Sequence, residues 1–172
     1  MCQMGWNTAA IFVRDRPADE IITSLALSPT GPPTSVTGDQ ATSGLVGLVL
    51  SARTAGGWTE VWDSSMLHLA DPAALETPQM RSLLGGTNAL VVLFSSVAST
   101  YGFWLYEHGG LRRALVSADG EVVESVGDEL DVERTVEIPS WGRDEDFVWA
   151  VIRSVTGQGF DADAAYDSYE VA

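Results

Sequence analysis

The order of hydrophobic and polar positions predicts a series of strands with a few short helices. Gly5 to Val13 is rich in strand-forming residues, and the next segment places Pro17 where the first helical position is expected. Ile21, Ile22 and Leu25 recur at helical spacing and form a face that can pack on a sheet. The chain is therefore expected to begin with a strand and a short helix.

A hairpin and a buried strand are predicted in the middle of the chain. Two strand-like runs surround the Gly56-Gly57 turn, and Trp58 and Trp62 share a face because their separation is even. The uninterrupted apolar run from Ala89 to Phe94 is typical of a central strand that is covered on both faces.

Helical pieces and a strand meander are predicted on either side of that buried strand. Because Pro78 would kink a continuous helix, residues 71–86 are expected to form two short helical pieces. A strand is also predicted at 132–138, where apolar and polar residues alternate, and a last helix ends at Gly157. The turns of the meander are marked by three pairs, Gly109-Gly110, Asp119-Gly120 and Gly127-Asp128.

These elements predict one α+β domain over residues 1–172. Hairpins outnumber strand-helix-strand units, so we expect a mainly antiparallel sheet of about six or seven strands, with about two to four short helices packed against it. Residues 28–44 are rich in Pro, Gly, Thr and Ser and are expected to form a mobile surface loop. Residues 158–172 are expected to form a loosely ordered acidic tail.

Charge is the strongest compositional signal. The 172 residues include 24 Asp and Glu against nine basic residues, all of them Arg, for a formal net charge of -15. Such a surface repels nucleic-acid phosphates and anionic lipid, so neither nucleic acid nor a membrane is an expected partner. The charge favours either solubility alone or a basic protein partner. The absence of Lys also excludes a P-loop lysine and a Schiff-base lysine.

Cysteine and histidine usage predicts neither a metal site nor a cofactor. The single cysteine, Cys2, cannot form an internal disulfide or a multi-Cys metal cluster, and His68 and His108 have no metal-ligand spacing. The N-terminal stretch lacks the order of a secretory signal, and the apolar run from Ala89 is too short to span a bilayer. A cytoplasmic, soluble protein is expected.

Catalytic motifs give little support for an enzyme. The sequence has no GxSxG, no P-loop and no dinucleotide-binding glycine pattern in a strand-to-helix context. The alternative that stays open is a small cofactor-independent enzyme that uses carboxylates such as Glu107 or Asp63 near His108 for acid-base chemistry.

Aromatic and arginine side chains supply the candidate binding face. Phe103 and Trp104 are consecutive, so a regular strand points them to opposite faces, and one aromatic face could be exposed. The alternatives are that the rings fill the core while the Arg heads reach water, or that a homodimer interface covers them. The candidate residues are Trp58, Trp62, Phe103, Trp104, Tyr106, Arg112, Arg113 and Trp141.

The order of elements resembles that of actinobacterial domains of unknown function. The similarity covers roughly residues 45–157: the hairpin GGWTEVWD, the strand ALVVLF, the meander YGFWLYEHGGLRR and the helix that ends VTG. This resemblance implies the same outline of strands and closing helix and carries over no catalytic residue. The leading hypothesis is a non-catalytic protein-binding module, one form of which is an inhibitor or immunity-type protein for a basic partner.

Overall fold

A single antiparallel sheet organises the chain. The computed structural model describes residues 5–43 and 49–172, so Cys2 and the last residue of the predicted loop lie outside the described residues. The strands are β1 Asn7–Arg14, β2 Thr34–Thr37, β3 Val49–Ala55, β4 Trp58–Asp63, β5 Asn88–Ser95, β6 Thr100–Glu107, β7 Gly110–Ala118, β8 Glu121–Val126 and β9 Ala165–Glu170. The helices are α1 Ala18–Ser24, α2 Gly38–Thr42, α3 Pro78–Leu84, α4 Asp131–Thr135, α5 Glu145–Thr156 and the 3-10 helix Pro72–Leu75.

The strand order within the described residues is β2-β9-β3-β4-β1-β5-β6-β7-β8, and every pairing is antiparallel. The predicted α+β class with one antiparallel sheet is confirmed. The predicted numbers of strands and helices are both wrong, because the described residues form nine strands rather than six or seven, and five α-helices with one 3-10 helix rather than two to four helices. Two strands, β2 and β9, come from segments that were expected to be a loop and a tail.

Helices cover the sheet on both sides. Side chains alternate along β1, so that Phe12 packs on one side and Ile11 on the other. We call these sides the α5 face, where α2, α4 and α5 pack, and the α1 face, where α1, α3 and the 3-10 helix pack. Coverage of both faces explains why β1 and β5 are continuous apolar runs, as predicted for Ala89 to Phe94.

Residues 28–44 contain regular structure rather than a loop throughout. Thr37 begins α2 as its N-cap, and its side chain and that of Gln40 each accept a hydrogen bond from the other residue's backbone N–H. The strand β2 lies at the end of the sheet and is mostly exposed, which explains its polar composition. The loop prediction is wrong for these elements, and the mobility of the segment stays a prediction.

The C-terminal segment also enters the sheet. Between β2 and β3, β9 buries Tyr166 and Ser168 while the neighbouring Asp167 is exposed. The prediction of a loosely ordered tail is therefore wrong for β9. Six residues with few large apolar side chains give a weak strand signal, and the pairing partners are far away in sequence.

The predicted strand at 132–138 is wrong, because α4 occupies Asp131–Thr135. Val132 and Val136 are four residues apart, a separation that fits a strand face and a helix face equally well. The Glu133 carboxylate stabilises the helix by capping its start, since it accepts a hydrogen bond from the backbone N–H of Leu130 at 2.7 Å. The predicted β3–β4 hairpin, the two helical pieces around Pro78 and the last helix are all confirmed.

Candidate functional site

Four of the predicted site rings are buried. Trp58, Trp62 and Phe103 lie in the core of the α5 face, while Trp104 lies in that of the α1 face. Tyr106 is half-buried and packs against the same core as Trp104. These side chains are divided between two covered faces and do not form an exposed aromatic face. The four buried rings therefore fill the core, which is one of the alternatives to an exposed binding face.

Trp62 belongs to an aromatic cluster that sequence reasoning did not assemble. Its ring stacks on that of Trp149 with centroids 5.7 Å apart, and Trp6 contacts both rings. Phe94 and Phe160 also belong to the cluster. Its members come from both ends of the chain, from β4, β5 and α5, so no local pattern could have grouped them.

A buried polar network lies beside this cluster. Glu60 accepts hydrogen bonds from the Tyr166 hydroxyl and from Trp62 Nε1, and its carboxylate lies 3.4 Å from Arg53 Nε. Burial, followed by the charge of Glu60 and its hydrogen bond, raises the pKa of Tyr166. The network joins β3, β4 and β9, and Arg53 takes part in it through its ion pair with Glu60, since its Nε makes no hydrogen bond within the described residues.

The two predicted arginines have different roles. Arg112 is exposed, and its Nε lies 3.4 Å from a carboxylate oxygen of Glu107. Arg113 is buried and donates two hydrogen bonds to Glu133, at 2.9 and 2.6 Å. It also donates to Ser125 Oγ and to the backbone carbonyls of residues 126 and 127. Arg113 therefore ties β7 to β8 and α4 and is not available to a ligand.

The residues of the enzyme alternative do not converge. Asp63 ends β4 and Glu107 ends β6, and these strands run in opposite directions. Their carboxylates therefore lie toward opposite ends of the sheet, about 16 Å apart along the strands given the pairing. His108 lies in the turn after Glu107. Asp63 is buried, and its carboxylate accepts hydrogen bonds from Ser65 Oγ and from the backbone N–H groups of residues 68 and 69.

Trp141 is the predicted ring that faces solvent, with 70% of its surface exposed. It lies at a cleft of about 530 Å³, which we call the α5 cleft. The lining residues are Ser99, Tyr101, Asp119, Gly120, Trp141, Arg143, Asp144, Glu145 and Asp146.

Three separate parts of the chain form the α5 cleft: the start of β6, the β7–β8 turn, and the entry into α5. The turn lies so close to residue 141 that it requires glycine at position 120: a Cβ added to Gly120 would lie 2.7 Å from the Trp141 carbonyl oxygen. Asp144 holds the entry segment together. One of its carboxylate oxygens accepts from the Asp146 backbone N–H and the other from Trp141 Nε1, each at 3.1 Å.

The α5 cleft is electronegative. Four carboxylates and one guanidinium line it, and the Arg143 guanidinium lies over the Phe147 ring at 5.3 Å from its centroid. Burial, the charge and hydrogen bond of Glu145, and the charge of Asp144 raise the pKa of Tyr101 to about 12. An indole beside several carboxylates is the type of environment that holds an organic cation.

Sequence reasoning identified Trp141 and missed the rest of the α5 cleft. The acids at 144–146 have a local explanation in the dipole of α5, which favours negative charge at its start, and Asp119 has one in the turn that it forms with Gly120. Both explanations hold locally. The spatial meeting of the turn with the helix start depends on the order of strands in the sheet, which the sequence did not supply.

No family model, curated protein or solved structure matches this chain. The resemblance to actinobacterial domains of unknown function stays a prediction. Among the described residues, no helix is long and apolar enough to cross a membrane. The same residues include no group of three or more His, Cys, Asp or Glu placed to hold a metal ion.

Proposed function

We propose that the protein is a non-catalytic binding module whose α5 cleft accepts a cationic side chain of a basic protein partner. The observation that carries this proposal is the exposed Trp141 ring at the mouth of a cleft lined by four carboxylates. An inhibitor or immunity-type protein is one form of this function. The binding step needs no cofactor.

The size and charge of the cleft suit a guanidinium or ammonium group. A volume of about 530 Å³ lies within the range of ordinary ligand pockets and exceeds the need of one side chain. A cation over an exposed indole gains roughly 0.5–1 kcal/mol, and more when water is excluded. The net charge of -15 adds long-range attraction for a basic partner, so association should weaken as salt is added.

A titration with blocked single amino acids tests the cleft alone. The probes are N-acetyl-arginine amide and N-acetyl-citrulline amide, which is nearly isosteric and uncharged, and the signal is the indole N–H resonance of Trp141. We expect the arginine probe to bind with a Kd of roughly millimolar order and the citrulline probe to bind at least about fivefold more weakly. Equal shifts with the two probes would show that charge is not recognised and would contradict the proposal.

Variants locate the binding. Glu145→Gln and Asp119→Asn each remove one negative charge from the cleft and should weaken the arginine probe. Trp141→Ala should weaken it as well, and because this variant lacks the reporting indole, its binding is followed by the backbone amide resonance of Gly120, which also lines the cleft. Leu67→Ala is the matched control, because Leu67 is 69% exposed and does not line the cleft. An equal loss of binding in Leu67→Ala would place the probe elsewhere on the acidic surface.

A further inference from the structure

The strand β8 ends the sheet, and no other described strand pairs with its outer edge. In the part of the chain that the structure describes, β8 pairs with β7 alone, and all six of its residues are exposed. An outer strand has backbone N–H and C=O groups that point away from the sheet and can pair with another extended chain.

The other end of the sheet is a poorer template. There β2 has four residues and follows Pro32 and Pro33, and short length and nearby Pro are common ways in which sheet ends resist pairing. By contrast, β8 has six residues and presents exposed Val122, Val123 and Val126. Its pairing with β7 contains one β-bulge, since Val116 pairs with Glu124 and Ser117 with Val122, which leaves Val123 as the extra residue.

The charge around β8 selects what can pair with it. From Ala114 to Glu133 the sequence contains no basic residue, and Glu121 and Glu124 lie on the strand itself. A second copy of the chain would add its own acidic strand to this acidic edge, which is unfavourable. An extended segment with cationic side chains would meet opposite charges along the same edge.

The edge leads directly into the α5 cleft. Asp119 and Gly120 line the cleft, and β8 begins at the next residue, Glu121. A chain that pairs along β8 therefore reaches the cleft where β8 begins, at Glu121. A side chain of that segment can then reach the ring of Trp141.

We propose that the partner binds by strand addition: an extended basic segment pairs with the outer edge of β8 and places one cationic side chain in the α5 cleft. This inference depends on the proposed function, because the cleft fixes the end of the added strand. The main-chain hydrogen bonds supply affinity, and the negative charges of the cleft and of β8 supply specificity for a basic segment.

The test uses a blocked octapeptide of alternating Arg and Val and two versions that are methylated on backbone nitrogens. One version is methylated on the backbone nitrogen of every Arg, and the other on that of every Val. In a strand, the N–H groups of alternate residues point to the same side, so only one set faces β8. We expect one methylated peptide to bind at least about tenfold more weakly than the parent while the other binds about equally. Amide hydrogen exchange of β8 should slow with the parent peptide, and exchange of β2 should not change.

Three results would overturn strand addition. The first is that both methylated peptides bind as tightly as the parent. The second is that exchange of the β8 amides is unchanged at saturating peptide. The third is protection of β8 that rises with protein concentration in the absence of peptide, which would make a second copy the occupant. If the arginine probe still binds the cleft in these cases, the proposed function stands and only strand addition is wrong.

Discussion

Replacement of Arg113 by Met should destabilise the protein severely, because it leaves a buried charge unpaired. The side chains of Arg113 and Glu133 are each 2% exposed, and the guanidinium donates two of the three hydrogen bonds that the carboxylate accepts from described residues. Arg113→Met keeps an apolar side chain in the site but leaves Glu133 with the backbone N–H of Leu130 as its remaining donor. Removal of one partner from a buried ion pair typically costs about 3–5 kcal/mol.

Urea denaturation followed by far-UV circular dichroism measures this loss. We expect Arg113→Met to lower the free energy of unfolding by about 3–5 kcal/mol with little change in the denaturant slope. The double variant Arg113→Met with Glu133→Leu removes both charges and should recover much of that loss, because an apolar pair avoids the cost of burying a lone carboxylate.

Two results would refute this reasoning. If Arg113→Met lowered the free energy of unfolding by less than about 1 kcal/mol, the Glu133 carboxylate would have to be accessible to water. A double variant that is less stable than Arg113→Met would mean that the remaining carboxylate stabilises the fold without its partner. Arg112→Met is the matched control, since its partner Glu107 is exposed, and it should change stability by less than about 1 kcal/mol.

Three further predictions concern ionisable groups. Burial alone raises the pKa of Glu133, but hydrogen bonds from Arg113 and from the Leu130 N–H, with the charge of Arg113, lower it overall below its ordinary value of 4.5. Its stabilisation is therefore present above about pH 4.5 and is lost as the pH falls, and a stability profile of Glu133→Gln should lack that part of the acid dependence. Glu145→Gln should lower the pKa of Tyr101 from about 12, seen in an NMR titration of the phenol carbon; an unchanged value would exclude Glu145 as a cause. Stability from the raised pKa of Tyr101 is present below pH 10 and is lost as the pH rises toward 12. Asp63→Ala should cost about 2–3 kcal/mol in urea denaturation, because it removes the acceptor of two backbone N–H groups, and a loss near zero would mean that water replaces the carboxylate.

Elements with local signals could be predicted from the sequence. The Gly56-Gly57 pair marks the β3–β4 hairpin because both residues adopt positive φ, 59° and 80°, which glycine tolerates best. Pro78 separates the two helical pieces and begins α3. The adjacent Phe103 and Trp104 point to opposite faces, as strand geometry requires.

Features that depend on tertiary packing could not be predicted in the same way. Whether Phe103 and Trp104 are exposed depends on which helices cover each face, and both faces are covered. The position of β9 between β2 and β3 depends on pairing between distant parts of the chain. The α5 cleft has the same origin, because Tyr101, Asp119 and Glu145 meet only once the sheet has formed.

Photo-crosslinking from position 141 in the protein's own host cells tests the central claim most directly. A photoreactive phenylalanine analogue, which keeps an aromatic ring beside the carboxylates, replaces Trp141 in one variant and the equally exposed Leu67 in a control, and adducts are identified by mass spectrometry. The account predicts one dominant adduct at position 141 with a basic protein, weakened by added salt and lost when Asp119 and Glu145 are neutralised. The same adducts from both positions, or adducts that persist without these carboxylates, would contradict the claim that the α5 cleft recognises a basic partner.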